Sequence, residues 1–269
     1  MRFRRAFIEI TNICNLSCPF CAASSRASGF MPLADFESLA AQVKPLAGVM
    51  SLHVTGEPMT HPQFKEIVSG CSRMGIELNL VTNGTLAGKY RDLLLSEKSM
   101  GQISFSLHAL QYAGEDMRSR TLAALAEIAK AKREDMIIAF RLRGQRGTEF
   151  EKGVSAFLRE SFGGGEKLKN GATKLADRVF LHHGDFFGWP GENAGGGHKG
   201  CLGLKHHFAV LCGGDVVPCC MDYDGNMALG NVKTAPLKDI LGGTNAAAMR
   251  RAVAEGEPSY CKSCGFSSP

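Results

Sequence analysis

Apolar and polar positions along the chain follow two alternating periods. Short β-type runs fall at Phe7–Ile10, Val49–Val54, Ile76–Val81, Ile103–Leu107, Met136–Leu142 and Val179–His182. Stretches with helical spacing lie between them: Leu33–Val43, Pro62–Met74, Gly88–Leu95, Met117–Lys132 and Thr148–Glu160. Met117–Lys132 shows the pattern plainly, with Leu122, Leu125, Ile128 and Ala129 on one helical face. Repeated strand–helix alternation predicts parallel strands joined by right-handed crossovers. Six such units are too few to close an eight-unit barrel, so the pattern predicts an α/β fold of the open, partial-barrel kind, a (β/α)6 unit. Ligands in such folds bind at the carboxyl ends of the strands, and the motifs below fall there.

Glycine interrupts the second half of the chain. Gly163-Gly164-Gly165 opens a loop over 163–171, and glycines crowd Gly188–Gly200. The second stretch is expected to link a barrel over 1–187 to a smaller module over 188–269, both Gly-rich segments shaping or covering the entrance to a pocket. In the module, Phe208–Leu211 and Val216–Pro218 are expected to form strands turned at Gly213-Gly214. Thr244 is expected to cap an Ala-rich helix, Asn245–Ala254.

The chain has 269 residues and 44% hydrophobic composition, enough for a sizeable core. No apolar run approaches the roughly 18 residues of a membrane span. The basic N-terminus breaks its apolar stretch at Glu9 and lacks the apolar core of a secretory signal, so a cytoplasmic location is expected. The formal charge of +5 is modest, and no basic stripe is interleaved with aromatic residues, which argues against nucleic acid.

Cysteine changes the picture. The chain has ten, with Cys14, Cys18 and Cys21 crowded together, six more between Cys201 and Cys264, and Cys71 alone on a helical face. Without an export signal, thiols at such short spacings suit metal better than disulfides. Soft sulfur ligands favour zinc or iron–sulfur. A structural zinc site needs a fourth ligand, and residues 1–52 hold no other Cys or His. Three ligands on a four-iron cluster leave one iron open, as catalysis requires.

A CxxxCxxC loop after a first strand, with Phe20 before the last cysteine, resembles the radical S-adenosylmethionine (SAM) superfamily. Val54-Thr55-Gly56-Glu57-Pro58 resembles that family's GGEP segment, with Thr55 replacing the first glycine. The resemblance implies that Gly56 and Glu57 hold the methionine amino group and that Arg141 pairs with the methionine carboxylate. It further implies that Val81-Thr82-Asn83-Gly84-Thr85 closes the third strand at the cofactor, with Asn83 in contact. Ser106 and His108 are then polar contacts, although His108 could equally be packing. His182 and His183 are expected at a strand end near the adenine. These roles are physically coherent, because a carboxylate suits an ammonium and a guanidinium suits a carboxylate. The cofactor carries the hard chemistry, namely one-electron cleavage of SAM to a 5′-deoxyadenosyl radical.

In the second cysteine group, Gly214-Asp215-Val216-Val217-Pro218-Cys219 resembles the Gx4C element of the superfamily's SPASM domains, and Cys261-Lys262-Ser263-Cys264 is a CxxC pair. The run for a second auxiliary cluster is absent, so the module resembles the shortened "twitch" form. The radical dehydrogenase of aminocyclitol antibiotic biosynthesis carries such a form. The resemblance implies one auxiliary 4Fe–4S cluster on Cys201, Cys219, Cys261 and Cys264, with Cys220 an alternative to Cys219 and a zinc ribbon the rival reading. Asp222 is a candidate base for proton loss, or else a turn residue in Asp222-Tyr223-Asp224-Gly225.

The expected activity is a radical SAM oxidoreductase, first as a small-molecule dehydrogenase passing an electron to the auxiliary cluster. A peptide-modifying maturase is the alternative, and a zinc- or cluster-binding interaction protein is the non-enzymatic one. The chain begins at the first strand, which disfavours a leader-recognition or cobalamin domain. The expected partners are a small-molecule or peptide substrate and a flavodoxin- or ferredoxin-type electron donor.

Overall fold

A computed structural model describes residues 2–22, 24–144, 146–186, 188–190 and 201–265. Most of the expected linker, 191–200, lies outside the described residues. The elements are β1 (Phe3–Ile8), α1 (Leu33–Val43), β2 (Ala47–Ser51), α2 (Phe64–Met74), β3 (Glu77–Thr82), α3 (Arg91–Ser96), β4 (Met100–Ser106), α4 (Glu115–Ala131) and β5 (Ile137–Arg143). They continue with α5 (Glu149–Ser161), β6 (Glu166–Lys167), β7 (Thr173–Ala176), β8 (Val179–Gly184), β9 (His207–Val210), β10 (Asp215–Val217) and β11 (Gly230–Asn231). Three helices follow, α6 (Leu237–Gly242), α7 (Thr244–Glu255) and α8 (Ser259–Lys262), and short 3-10 turns occupy Pro58–Thr60 and Leu107–Tyr112. Among the described residues, no helix is long and apolar enough to cross a membrane.

Two compact units make up the chain, one of residues 1–14, 21–77 and 187–269, the other of 15–20 and 78–186. In the first unit, β1 pairs in parallel with β2 on one side and with β9 on the other. The hairpin β9–β10 and the short β11 extend this sheet antiparallel. The C-terminal module therefore shares a sheet with the first strand. Phe3 meets Phe208 edge-on at 4.9 Å, and Phe36, Leu39, Phe64 and Ile67 are buried from α1 and α2. Fully burying side chains of this size stabilises by about 1.5–3 kcal/mol each.

In the second unit, β3, β4, β5 and β8 run parallel. The α/β expectation holds, with all six anticipated parallel strands present and α4 lying beside α3 and α5. Phe105 stacks on Phe140 at 5.8 Å in its core. Local signals account for the helix ends. The Thr148 hydroxyl accepts the Glu151 N–H at 3.2 Å to start α5, and Gly75, left-handed at φ 64, stops α2.

Several expectations differ from the structure, beginning with the first strand, which spans Phe3–Ile8 and not Phe7–Ile10. The 163–171 segment is not all loop, since β6 and β7 form an antiparallel hairpin against β8. The helix expected from Gly88 starts at Arg91, because turns such as Tyr90 N–H to the Ala87 carbonyl occupy the preceding residues. α6 was missed, being only six residues long and too short for a periodic signal. Thr244 is the first residue of α7, and its side chain does not cap; Gly243 takes that position.

Candidate active site

In the first unit the cysteine loop is tied at its neck. The Thr11 hydroxyl donates to the Gly29 carbonyl at 2.8 Å and accepts the Ile13 N–H at 3.0 Å. Asn12 bridges back to the Ala27 carbonyl and the Gly29 N–H. Cys14 and Cys21 are exposed, and Cys18 is half-buried. Although the residue is exposed, desolvation of its sulfur by the surrounding loop, followed by the nearby Cys14, pushes the Cys21 thiol pKa up. The Gly56-Glu57 segment lies against this neck, with the Glu57 N–H donating to the Ile13 carbonyl at 2.9 Å. Gly56 has φ +72, and a Cβ there would stand 2.5 Å from the Thr11 carbonyl oxygen, so only glycine fits. The Glu57 carboxylate is buried, and it also accepts the Met59 N–H at 3.1 Å, capping the 3-10 turn.

In the second unit Asn83 donates to the Asn15 side-chain oxygen at 2.9 Å, and Asn15 donates to the Thr85 hydroxyl at 2.8 Å. The closing segment of β3 is thereby joined to the residue after Cys14. Phe20 stacks on Phe186 at 4.6 Å and lies 5.0 Å from the His108 ring. Ser106, Arg141 and His182 stand in register across the ends of β4, β5 and β8. The His108 Nδ1 pairs with the Arg141 carbonyl at 3.2 Å, and burial pushes its pKa down to about 4. His108 is therefore a neutral ring at pH 7, able to pack and to share hydrogen bonds. His183 contacts Glu151 at 2.9 Å on the opposite side of the strand from its neighbour His182.

The C-terminal thiols belong to the first unit. Leu204 N–H donates to the Pro218 carbonyl at 3.3 Å, setting the Cys201 segment beside Cys219, and Gly203 N–H approaches the Cys201 sulfur at 3.4 Å. Tyr260 donates to the Met221 carbonyl at 3.0 Å, which brings the CxxC of α8 to the same place. Burial, then Cys201 and Cys264, pushes the Cys261 thiol up to about 11. Burial, then Cys220, raises Cys219 well above the ordinary range, with Cys201 also contributing. Cys220 rises to about 12 and also feels Cys264 and Cys201, but it packs on the apolar group of Phe7, Val54, Leu211 and Tyr223. Among the described residues, no three His, Cys, Asp or Glu side chains adopt the arrangement of a single bound metal ion. The donor set is chemically suited to iron–sulfur, consisting of soft thiols with a backbone N–H directed at sulfur. Loading must displace the protons that burial and mutual repulsion retain.

Asp222 lies at the start of a turn. It is fully buried, and its two oxygens accept the Asn226 and Met227 N–H groups, each at 2.8 Å. Burial raises its pKa. Sequence reasoning missed Glu9 and Arg26, which form an ion pair at 2.7 Å with Glu9 fully buried and Arg26 partly so. The available signal was a lone acid interrupting the apolar run of the first strand.

The class follows from comparison with known proteins. The radical SAM superfamily model matches residues 8–147, just over half of the chain, and an iron–sulfur cluster-binding SPASM domain matches 201–265. The chain belongs to the radical SAM superfamily and carries a C-terminal SPASM/twitch module. It is a radical SAM enzyme using a 4Fe–4S cluster and SAM, and the SPASM match implies auxiliary iron–sulfur binding.

Among curated relatives, a PqqA peptide cyclase of Gluconobacter oxydans is 26% identical over 214 residues, covering 76% of this chain and 52% of the relative. One of Xanthomonas axonopodis pv. citri is 27% identical over 191 residues, covering 68% and 48%. The chain thus spans about half the length of these relatives. Among solved structures, Streptococcus suis SuiB bound to precursor peptide SuiA aligns with a TM-score of 0.67 at 15% identity, covering 97% of this chain and 72% of SuiB. BtrN in complex with AdoMet and 2-DOIA aligns with a TM-score of 0.62 at 17% identity, covering 100% and 95%. At these identities the likeness is one of fold.

Proposed function

We propose that this enzyme modifies a peptide by radical chemistry. The observation that carries the reading is the match to proteins named peptide cyclases across 76% of the chain. Sequence reasoning put a small-molecule dehydrogenase first, and the relatives favour the peptide-modifying alternative. The dehydrogenase remains the second reading, on the single CxxC of the C-terminal module.

In this reading Cys14, Cys18 and Cys21 hold the SAM-binding cluster. Cys201, Cys219, Cys261 and Cys264 hold the auxiliary one, and Cys220 packs on the apolar group beside it. When bound, SAM supplies a 5′-deoxyadenosyl radical that abstracts a substrate hydrogen. The chain's own residues bind and orient. The Gly56 backbone and the Glu57 carboxylate receive the methionine ammonium, and Arg141 receives the carboxylate. Asn83 and Ser106 offer polar contacts, while Phe20 and neutral His108 wall the site and exclude water. A flavodoxin- or ferredoxin-type protein donates the electron.

Anaerobic reconstitution with iron and sulfide, followed by iron counting and assay of 5′-deoxyadenosine release, tests the class. Two four-iron clusters correspond to about eight irons per chain. A synthetic peptide encoded beside this gene then separates the two readings. A peptide-dependent rise in 5′-deoxyadenosine with a mass change on the peptide supports the proposal. Turnover only with small polyols would transfer support to the dehydrogenase, and bound zinc without turnover would defeat both.

A further inference from the structure

Glu9 and Arg26 flank the cysteine loop in sequence, and neither has a counterpart among the motif residues assigned above. Glu9 follows β1 and is fully buried. Its carboxylate receives two fork-like bonds from Arg26, Nη1 at 2.7 Å and Nη2 at 2.8 Å. The same carboxylate accepts the Thr55 N–H at 3.1 Å, the Thr55 hydroxyl at 2.7 Å and the Cys212 N–H at 3.0 Å. Arg26 turns its Nε to the Tyr223 carbonyl at 2.6 Å. Just before it, the Ser24 hydroxyl donates to Asp224 at 2.6 Å and the Ser25 N–H to the same oxygen at 3.1 Å.

A buried ion pair is poor evidence of stability, because desolvating both charges offsets their attraction. This pair is saturated with directional donors, and its effect is to hold four chain segments at fixed spacing. They are the end of β1, the returning arm of the cysteine loop, the residue before Gly56-Glu57, and the β9–β10 turn. The arrangement also accounts for a departure in the sequence. Thr55 stands where the superfamily segment has a glycine, and its hydroxyl would be a buried liability without an acceptor. Glu9 is that acceptor.

We propose that Glu9, Arg26 and Thr55 form a positioning network that sets SAM affinity without touching the cofactor, by holding the backbone of Gly56 and Glu57 against the neck of the cysteine loop. The proposal rests on Gly56-Glu57 being the methionine clamp, and the test distinguishes failure of that assignment from failure of the network.

Three readouts on the reconstituted holoenzyme decide it: the SAM dissociation constant by equilibrium dialysis, kcat for 5′-deoxyadenosine release at saturating SAM, and hydrogen exchange of the Thr55–Met59 amides. Thr55→Val keeps the shape and removes the hydroxyl. It should weaken SAM binding about tenfold, the loss of one hydrogen bond to a charged group, and speed exchange of those amides, with kcat within about twofold. Arg26→Lys should fall between wild type and Arg26→Met, since an ammonium cannot reproduce the fork. Adding Thr55→Val to Arg26→Met should cost less than Thr55→Val alone, because both act through Glu9. Should Arg26→Met fail to fold, Thr55→Val and Arg26→Lys carry the test. Unchanged SAM affinity in Thr55→Val and Arg26→Lys, alongside a tenfold or greater loss in Glu57→Gln, would overturn the network and leave the clamp standing. Native SAM affinity in Glu57→Gln would overturn the clamp itself.

Discussion

Gly56→Ala is the substitution whose cost the structure specifies most fully, and Gly75→Ala is its control. Both glycines have left-handed backbones, φ +72 and +64. Alanine pays about 1 kcal/mol for that conformation at either position. At Gly75 the new methyl group meets nothing within 4 Å. At Gly56 it would lie 2.5 Å from the Thr11 carbonyl oxygen and 2.9 Å from two Asn12 backbone atoms. Neither contact is a flexible side chain, so the backbone must shift, at about 1–3 kcal/mol more. The expected loss is about 2–4 kcal/mol at Gly56 against about 1 kcal/mol at Gly75. At roughly 2–4 °C per kcal/mol for a chain of this size, Tm should fall about 4–16 °C and about 2–4 °C respectively. Thermal unfolding of the metal-free chains by circular dichroism measures this directly. Because the displaced atoms form the neck of the cysteine loop, Gly56→Ala should also abolish measurable SAM binding in the reconstituted enzyme, while Gly75→Ala binds normally. Equal Tm losses for the two variants would refute the close-approach argument.

Further expectations concern the thiols, the clamp and acid stability. Alanine at Cys14, Cys18 or Cys21 should each remove about four irons and all 5′-deoxyadenosine release. Cys219→Ala should lose the auxiliary irons and Cys220→Ala should retain them, read by iron analysis; the reverse pattern would exchange their roles. Arg141→Gln should raise the SAM dissociation constant by roughly ten- to a hundredfold, the loss of a charge-assisted bond, and an unchanged constant would remove Arg141 from the clamp. His108 and His207 are both pushed down to about 4, chiefly by burial. A histidine that charges more readily unfolded than folded contributes stability above its unfolded pKa of about 6.5 and loses it as pH falls toward 4. Each contributes on the order of 3 kcal/mol, so denaturation midpoints should drop across that window, and His108→Gln should flatten the drop.

The alternation of strands and helices was legible because each parallel strand is bounded by turns and followed by an amphipathic segment, so periods of two and 3.6 can be read locally. The family motif was legible for a similar reason: three cysteines within eight positions form a spacing that can be read locally. The β6–β7 hairpin was not, because Glu166–Lys167 has no apolar period and is held by pairing to Thr173–Lys174. Asp222 could be read from sequence as either base or turn residue, and the structure adds that its oxygens accept the Asn226 and Met227 N–H groups.

The sequence by itself determined the family, since Cys14, Cys18 and Cys21 with the Gly56-Glu57-Pro58 segment resemble the motifs of the radical SAM superfamily. Tertiary structure alone decided what surrounds the Thr55 residue before that segment. Glu9 meets Thr55, Cys212 and Arg26 only after β1 pairs with both β2 and β9. Contacts across 17, 46 and 203 residues leave no local period or spacing to read, because hydrogen bonding depends on distance in space and not along the chain.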